Sequence, residues 1–140
     1  KIWRARGVCG LPVSIEVEKP RRGIEELLEQ ADLLLFSRDY AQAQGFSDAA
    51  ALLRSLPQCV LATCAWGAQG AWAIDQDSRL LHVAAPPLDS VVDTIGAGDV
   101  FNAAMVHALS SGRTMEQALR AAVSLASLQC TREGLELVAR

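Results

Sequence analysis

The chain has 140 residues, of which 51% are hydrophobic and 21% charged, and its net charge is −3. This composition is typical of one globular domain and excludes a disordered chain. The acidic net charge argues against nucleic-acid binding, which needs a basic face. The sequence contains no apolar run of about 20 residues, so no membrane span is predicted. The 4 cysteines form no CxxC pair and there are 2 histidines, which argues against a zinc cluster and favours reduced thiols in a cytoplasmic protein.

The first half of the chain alternates strand and helix patterns. One strand shows apolar and polar residues in turn, and two are continuous apolar runs, as in a parallel sheet covered on both faces. We predict Ser47 as the cap of the third helix. In chain order the predicted elements are a strand over 13–17, a helix over 21–30, a strand over 32–36, helices over 38–44 and 48–55, and a strand over 59–64.

The second half begins with a predicted hairpin and ends in two helices. The first of these helices is apolar nearly all round, which predicts a helix buried in the core with His107 as a core histidine. Thr114 and Gln117 have the spacing of a capping box at the start of the second. The predicted elements are strands over 71–75, 79–84 and 91–94 and helices over 99–110 and 115–128.

The order of these elements predicts the fold class. Strands that alternate with helices indicate an α/β fold with a mainly parallel sheet flanked by helices. No linker or internal repeat divides the chain, so residues 1–140 are predicted to form a single domain.

The most informative segment is 91–103, where β-branched residues lead into two glycines, a carboxylate and an apolar helix. Gly96, Ala97 and Gly98 are small enough for a tight turn that points successive N–H groups outward at a helix N-terminus, which favours anions. Asp99 follows at once, placed to take a proton from a hydroxyl that attacks phosphorus. The segment predicts a phosphoryl-transfer centre. The alternative is a tight turn with an aspartate at a helix start.

Two other phosphate-binding motifs fit the segment less well. A dinucleotide-binding loop needs a third glycine where Phe101 stands, and an acidic residue about 20 residues later. A Walker A loop needs a Lys-Ser/Thr pair after the glycines, which the chain lacks.

The string Asp-Thr-x-Gly-Ala-Gly-Asp-x-Phe at residues 93–101 resembles the signature of the ribokinase, or phosphofructokinase-B, family of carbohydrate kinases. The resemblance extends over about residues 13–135, including segments 13–21, 64–66 and 112–113, and is greatest to the ketose-phosphorylating branch. It implies a ribokinase-like fold and transfer of the γ-phosphate of MgATP to a ketose hydroxyl. Fructose, giving fructose 1-phosphate, is the first expectation.

The resemblance also implies roles for individual residues. Asp99 matches the catalytic base, and Gly96, Ala97 and Gly98 match the anion hole. Mg²⁺ is expected to accompany ATP, and a monovalent cation (K⁺) is expected near Asp93. The nucleotide-binding positions match Gly67, Gly70, Pro87, Val91, Phe101, Ala126 and Cys130. A plain hairpin turn for the two glycines and ordinary core packing for the other five remain the alternatives.

One family motif is absent. The N-x-x-E motif, which organises magnesium and phosphate, falls at Ser37 to Tyr40, where neither Asn nor Glu stands. Arg38 and Asp39 are candidates for its role, and a solvated ion pair between them is the alternative.

Family members are about twice as long as this chain. The sugar-binding residues and the lid, which is the usual dimer surface, are expected in an N-terminal half. We therefore expect a partial domain, the half that binds ATP and carries the base, which exposes apolar surface and is inactive alone. The partners implied are a sugar and ATP, with a homodimer formed through the lid. Another sugar or nucleoside kinase of the family, and a truncated nucleotide-binding module without catalysis, are the alternatives.

Overall fold

A computed structural model of the chain describes residues 13–19, 29–57, 60–87 and 96–131. Within these residues five strands form one sheet, and four helices cover its faces. The strands are β1 (Ser14–Val17), β2 (Leu33–Phe36), β3 (Leu61–Ala65), β4 (Ala71–Ile74) and β5 (Leu80–Val83). The helices are α1 (Arg38–Ala43), α2 (Ala49–Arg54), α3 (Ala97–Ser110) and α4 (Met115–Cys130), and a 3₁₀ turn spans Gly67–Gln69.

The sheet is mixed, with the strands in the order β1-β2-β3-β4-β5. The pairs β1–β2 and β2–β3 are parallel, whereas β3–β4 and β4–β5 are antiparallel, so the predicted hairpin of β4 and β5 is confirmed. The carboxyl ends of β1, β2 and β3 therefore meet at one edge of the sheet. In open α/β sheets that edge is where ligands bind.

Both faces of β2 are buried. Leu33 and Leu35 of β2 pack into the cluster formed with α3 and α4, while Leu34 and Phe36 pack into the cluster formed with α1 and α2. A strand covered on both sides has no need of polar residues, which explains the continuous apolar run that predicted β2.

The helix ends follow the capping residues closely. At α4, the Thr114 side chain accepts from the backbone N–H of Gln117 and the Gln117 side chain accepts from the N–H of Thr114, so the predicted capping box is confirmed. At α2, Asp48 caps the helix by accepting from the N–H of Ala51 at 2.7 Å. Ser47 as cap was wrong by one residue, because the carboxylate of Asp48 reaches the first turn in its place.

Helix α3 is not buried all round in the described part of the chain. Phe101 and Met105 lie in the core against the sheet and α4, but His107 is exposed, as are Ala103 and Ser110 on the same outer face. The prediction of a core histidine was wrong, since the described elements cover α3 from one side only.

Some predicted elements lie outside the described residues: residues 21–28 of the first helix, the strand at 91–94 and Cys59. Among the described residues, no helix combines the length and hydropathy needed to cross a bilayer.

Candidate active site

The N-terminus of α3 presents backbone donors that the helix itself does not use. Gly96 precedes the helix with φ +86°, a left-handed conformation that favours glycine. The first bond of the helix runs from the N–H of Val100 to the carbonyl of Gly96 at 2.9 Å. The N–H groups of Ala97, Gly98 and Asp99 precede it, and no side chain caps this terminus within the described residues. Three open donors at the positive end of a helix dipole form an anion site.

Asp99 lies in the first turn of this helix, beside those donors, and is exposed. Its side chain lines a groove of about 720 Å³ between α3 and the edge strand β1. Ser14 and Glu16 contribute the β1 wall, and Asn102 continues the α3 wall one turn beyond Asp99. Asn102 donates from Nδ2 to Oε1 of Glu16 at 2.7 Å, which ties the helix to the strand. The base candidate therefore faces a groove of the size of a small molecule, lined by both polar and apolar side chains.

A second, smaller cavity adjoins the groove at the α3 terminus. It has a volume of about 260 Å³ and opens at the carboxyl ends of β1 and β2. Its charged lining comprises Lys19 and Arg38 together with Glu18 and Asp39, and Gly98 lines it from α3. The two concavities share Leu35 and Asn102, so they adjoin, and each is also lined by a residue of the first turn of α3, Gly98 in the smaller cavity and Asp99 in the larger groove.

The charges of the smaller cavity fit a metal-bound polyphosphate. Cationic side chains and helix N–H groups are the donors that phosphate oxygens take. Carboxylate oxygens are the ligands that Mg²⁺ prefers, and Glu18 and Asp39 supply them here. Within the described residues no group of three or more His, Cys, Asp or Glu is placed to hold a metal alone. The donor set therefore fits a Mg²⁺ that keeps phosphate ligands.

At the position of the missing N-x-x-E motif, one residue makes structural contacts and the next two line the smaller cavity. Ser37 is structural, because its hydroxyl caps α1 by accepting from the N–H of Tyr40 at 3.0 Å and donates to the carbonyl of Glu18 at 2.9 Å. Arg38 and Asp39 are exposed and line the cavity. The ion pairs found within the described residues are Arg79–Asp75 and Arg120–Glu116, so the structure does not support an Arg38–Asp39 pair.

The two glycines of the predicted nucleotide loop have different surroundings. Gly70 has φ +92°, and a Cβ there would lie 2.0 Å from the carbonyl oxygen of Val83. Gly70 is therefore explained by the hairpin, because the start of β4 lies too close to the end of β5 to leave space for a side chain. Gly67 has φ +58°, and its Cβ position is 3.1 Å from Nη1 of Arg38. The turn therefore touches the smaller cavity through Arg38.

Of the remaining predicted nucleotide positions, those that the structure describes line neither cavity. Phe101 is 3% exposed and lies in the core, the alternative left open by the sequence. Ala126 packs against the same core, Cys130 is half-buried at the end of α4, and Pro87 is exposed. Val91 lies outside the described residues. An adenine pocket built by these residues stays a prediction.

Sequence reasoning missed Glu16, Glu18 and Lys19 as site residues. They lie on and directly after β1, whose carboxyl end adjoins that of β2 in the parallel pair. The signal available was topological: polar residues that follow a strand of a parallel sheet collect at the ligand-binding edge.

An uncapped helix N-terminus with a carboxylate in its first turn, at the carboxyl edge of an α/β sheet, is an arrangement that suits an anionic ligand. Residues 5–139 match the pfkB family of carbohydrate kinases, and the chain belongs to that family. It is 40% identical over 128 residues to the ketohexokinase of Mus musculus, an alignment that covers 89% of this chain and 43% of that protein.

Solved structures of two other kinases share the fold. The ribokinase of Arabidopsis thaliana complexed with ribose and ATP matches with a TM-score of 0.72 and 27% identity, over 89% of this chain and 43% of that chain. An adenosine kinase from Sinorhizobium meliloti matches with a TM-score of 0.69 and 27% identity, over 81% and 36%. The ribokinase-like fold is confirmed. This chain spans less than half the length of each of the three relatives.

Proposed function

We propose that this chain supplies the nucleotide side and the catalytic base of a carbohydrate kinase that transfers the γ-phosphate of MgATP to a ketose hydroxyl, with fructose O1 as the first candidate acceptor. The observation that carries the proposal is Asp99 in the first turn of α3, beside three unused N–H groups. Family membership supports carbohydrate phosphorylation, and the mouse relative supports a ketose.

The two concavities divide the substrates between them in this proposal. The polyphosphate occupies the smaller cavity, where Lys19 and Arg38 supply positive charge and Gly98 lies at the helix terminus. The acceptor sugar approaches from the larger groove, which Asp99 lines. The first turn of α3, which lines both spaces, then lies beside the γ-phosphoryl group as it passes from the leaving group to the attacking oxygen, where negative charge must be stabilised.

In this proposal the residues of the α3 terminus accept one proton and stabilise negative charge. A carboxylate oxygen of Asp99 takes the proton of the acceptor hydroxyl as that oxygen bonds to the γ-phosphorus. The bond from the γ-phosphorus to the bridging oxygen breaks, and ADP leaves with the electron pair. The N–H groups of Ala97, Gly98 and Asp99 stabilise the charge on the transferring group. Magnesium, held by Glu18 or Asp39 in this proposal, neutralises charge on the polyphosphate when bound.

The rest of the assignment depends on residues that this chain does not contain. In the proposal, specificity between sugars, the lid and the homodimer surface belong to the portion of the relatives outside the match. A kinase of another sugar or of a nucleoside is therefore the second candidate. It is favoured by the structural match to the adenosine kinase of Sinorhizobium meliloti.

The decisive test measures ADP release from MgATP with fructose, ribose and adenosine, using the chain in its natural sequence context. Asp99→Asn is compared with Asp77→Asn, a matched change at an exposed turn between β4 and β5. We expect fructose-dependent turnover that falls by at least about 10²-fold in Asp99→Asn and is unchanged in Asp77→Asn.

Each other outcome corrects a defined part of the proposal. Turnover with ribose or adenosine but not with fructose would show that the proposed acceptor is wrong, and the proposal of Asp99 as the base would stand. Binding of MgATP without turnover for any acceptor would leave a nucleotide-binding module. Equal turnover in Asp99→Asn and Asp77→Asn would show that Asp99 is not the catalytic base.

A further inference from the structure

The hairpin of β4 and β5 carries a stacked pair of rings on the face that it turns towards α1 and α2. Trp72 and His82 stand opposite each other in the antiparallel register, and their ring centroids lie 3.9 Å apart at an interplanar angle of 22°. Trp72 packs against the cluster formed with α1 and α2, whereas the His82 side chain is exposed. The indole therefore supports the imidazole from the core side and restricts the positions that the imidazole can take.

The same imidazole is bonded to the turn that precedes β4. Its Nε2 atom lies 2.9 Å from the carbonyl oxygen of Gln69, the last residue of the 3₁₀ turn. A carbonyl oxygen only accepts, so Nε2 must carry a proton and donate, as it does in the Nε2–H tautomer and in the imidazolium ion. A side chain of β5 thus holds a backbone carbonyl 13 positions earlier in the chain.

The turn that His82 holds is the one that reaches the smaller cavity. The Cβ position of Gly67, its first residue, is 3.1 Å from Nη1 of Arg38, and Arg38 lines that cavity. The N–H of Gly70 donates to the carbonyl of Gly67 at 3.0 Å and closes the turn. Because the turn is so short, a constraint on the carbonyl of Gln69 also restrains Gly67.

The composition of this turn explains why it needs a bond from outside. Gly67 and Gly70 both have positive φ, at +58° and +92°, and glycine loses more conformational freedom on ordering than any other residue. A turn that is ordered only when a ligand binds reduces affinity by the cost of that ordering. A hydrogen bond that orders the turn beforehand removes part of this cost.

We propose that His82 is a positioning residue for the nucleotide side of the reaction, which fixes the turn Gly67–Gln69 at the edge of the smaller cavity. The inference rests on the kinase function proposed above. His82 lines neither cavity, so its effect passes through the turn and not through contact with a ligand. It acts on the affinity for MgATP and leaves the chemistry at the α3 terminus unchanged.

Two substitutions separate the hydrogen bond from the stacked ring. His82→Gln keeps an N–H donor and removes the ring, whereas His82→Phe keeps a ring against Trp72 and removes the donor. Gln76→Ala is the control, because Gln76 is exposed in the turn at the opposite end of the hairpin. The Kd for MgATP is measured by calorimetry on the protein in its natural sequence context, together with kcat, urea unfolding and the exchange of backbone amide hydrogens.

We expect His82→Phe to raise the Kd for MgATP about 3- to 10-fold, the effect of losing one hydrogen bond. Its kcat at saturating MgATP should be unchanged, and the amide of Gly70, whose N–H closes the turn, should exchange faster. His82→Gln should keep most of the affinity, and Gln76→Ala all of it. Nitrogen NMR of the unaltered protein should place a proton on Nε2 of His82.

Two results would overturn the inference. An unchanged Kd in His82→Phe, with a lower free energy of unfolding, would show that His82 stabilises the hairpin alone. Equal losses of affinity in His82→Gln and His82→Phe would show that the donor is not the cause. Neither result affects the kinase proposal, which depends on Asp99. If the unaltered protein bound no MgATP, the proposed function would fail and this inference would fail with it.

Discussion

At the scale of single residues, the turn between β3 and β4 holds two glycines whose surroundings differ: backbone atoms crowd one of them, and only a side chain lies near the other. A Cβ at Gly70 would lie 2.0 Å from the carbonyl oxygen of Val83 and 2.7 Å from the N–H nitrogen of Ala85, so backbone alone excludes a side chain. At Gly67 the neighbour is the end of the Arg38 side chain. The G-x-x-G spacing is common to both positions and cannot distinguish these two causes.

Cys64 offers a prediction about reactivity. It is fully buried in β3, and burial raises the pKa of its thiol from 9.0 to about 12. The thiolate is the reactive form, so its fraction at pH 8 falls about a thousandfold relative to an unperturbed thiol. The same shift works on stability: the protonated thiol favours the folded state fully below pH 9, and this contribution is lost as the pH rises towards 12.

Labelling of single-cysteine proteins checks this prediction. A variant that keeps Cys64 alone should react with a disulfide reagent at pH 8 only as fast as it unfolds. A variant that keeps Cys130 alone, which is half-buried at the end of α4, should react in the folded state. Labelling of Cys64 that is faster than unfolding would show that the strand opens locally.

The sequence predicted the start of α3 better than the surroundings of that helix. The spacing of Gly96, Gly98 and Asp99 specified a helix start with open donors, because that conformation is set by local sterics. It could not specify that His107 is exposed, since periodicity reports which residues are apolar and not which neighbours cover them. The cap of α2 was misplaced for a related reason: Ser47 and Asp48 are both good caps, and geometry alone selects Asp48.

At the scale of elements, α3 must be held against β1 for Asp99 to face the groove. The described tie is the hydrogen bond from Nδ2 of Asn102 to Oε1 of Glu16 at 2.7 Å, between residues 86 positions apart in the chain. Asn102 lies one helical turn after Asp99, so a loosened helix start would displace the candidate base.

We predict that Asn102→Ala lowers the free energy of unfolding by about 1 kcal/mol, because it removes a hydrogen bond to a charged acceptor and that acceptor is exposed. Urea unfolding of Asn102→Ala, Glu16→Ala and the double variant measures the coupling between the two side chains. Additive effects would show that the bond contributes nothing. Gln117→Ala at the α4 capping box serves as the comparison, because it removes another side-chain amide whose loss should not couple to Glu16.

At the scale of the whole chain, the groove marks an incomplete surface. β1 is an edge strand of the described sheet, and Leu35, Ala103 and Val106 line the groove beside it. The chain covers 43% of the mouse ketohexokinase. The length of the family members led us to expect exposed apolar surface. The apolar residues of the groove lie on the same side of α3 as the candidate base.

The last prediction follows from that coincidence. The 140 residues alone should show no fructose-dependent ADP release, because the wall opposite Asp99 is missing from the described groove, and they should bind an apolar dye in that groove. Val106→Lys, inside the groove, should reduce dye binding more than Leu128→Lys, which alters a residue on α4 that is 42% exposed. Turnover by the isolated chain would mean that the groove already holds the acceptor. If only Leu128→Lys reduced dye binding, the dye would bind to α4 and not to the groove. The polar residues Ser14, Glu16 and Asn102 would then dominate the groove surface.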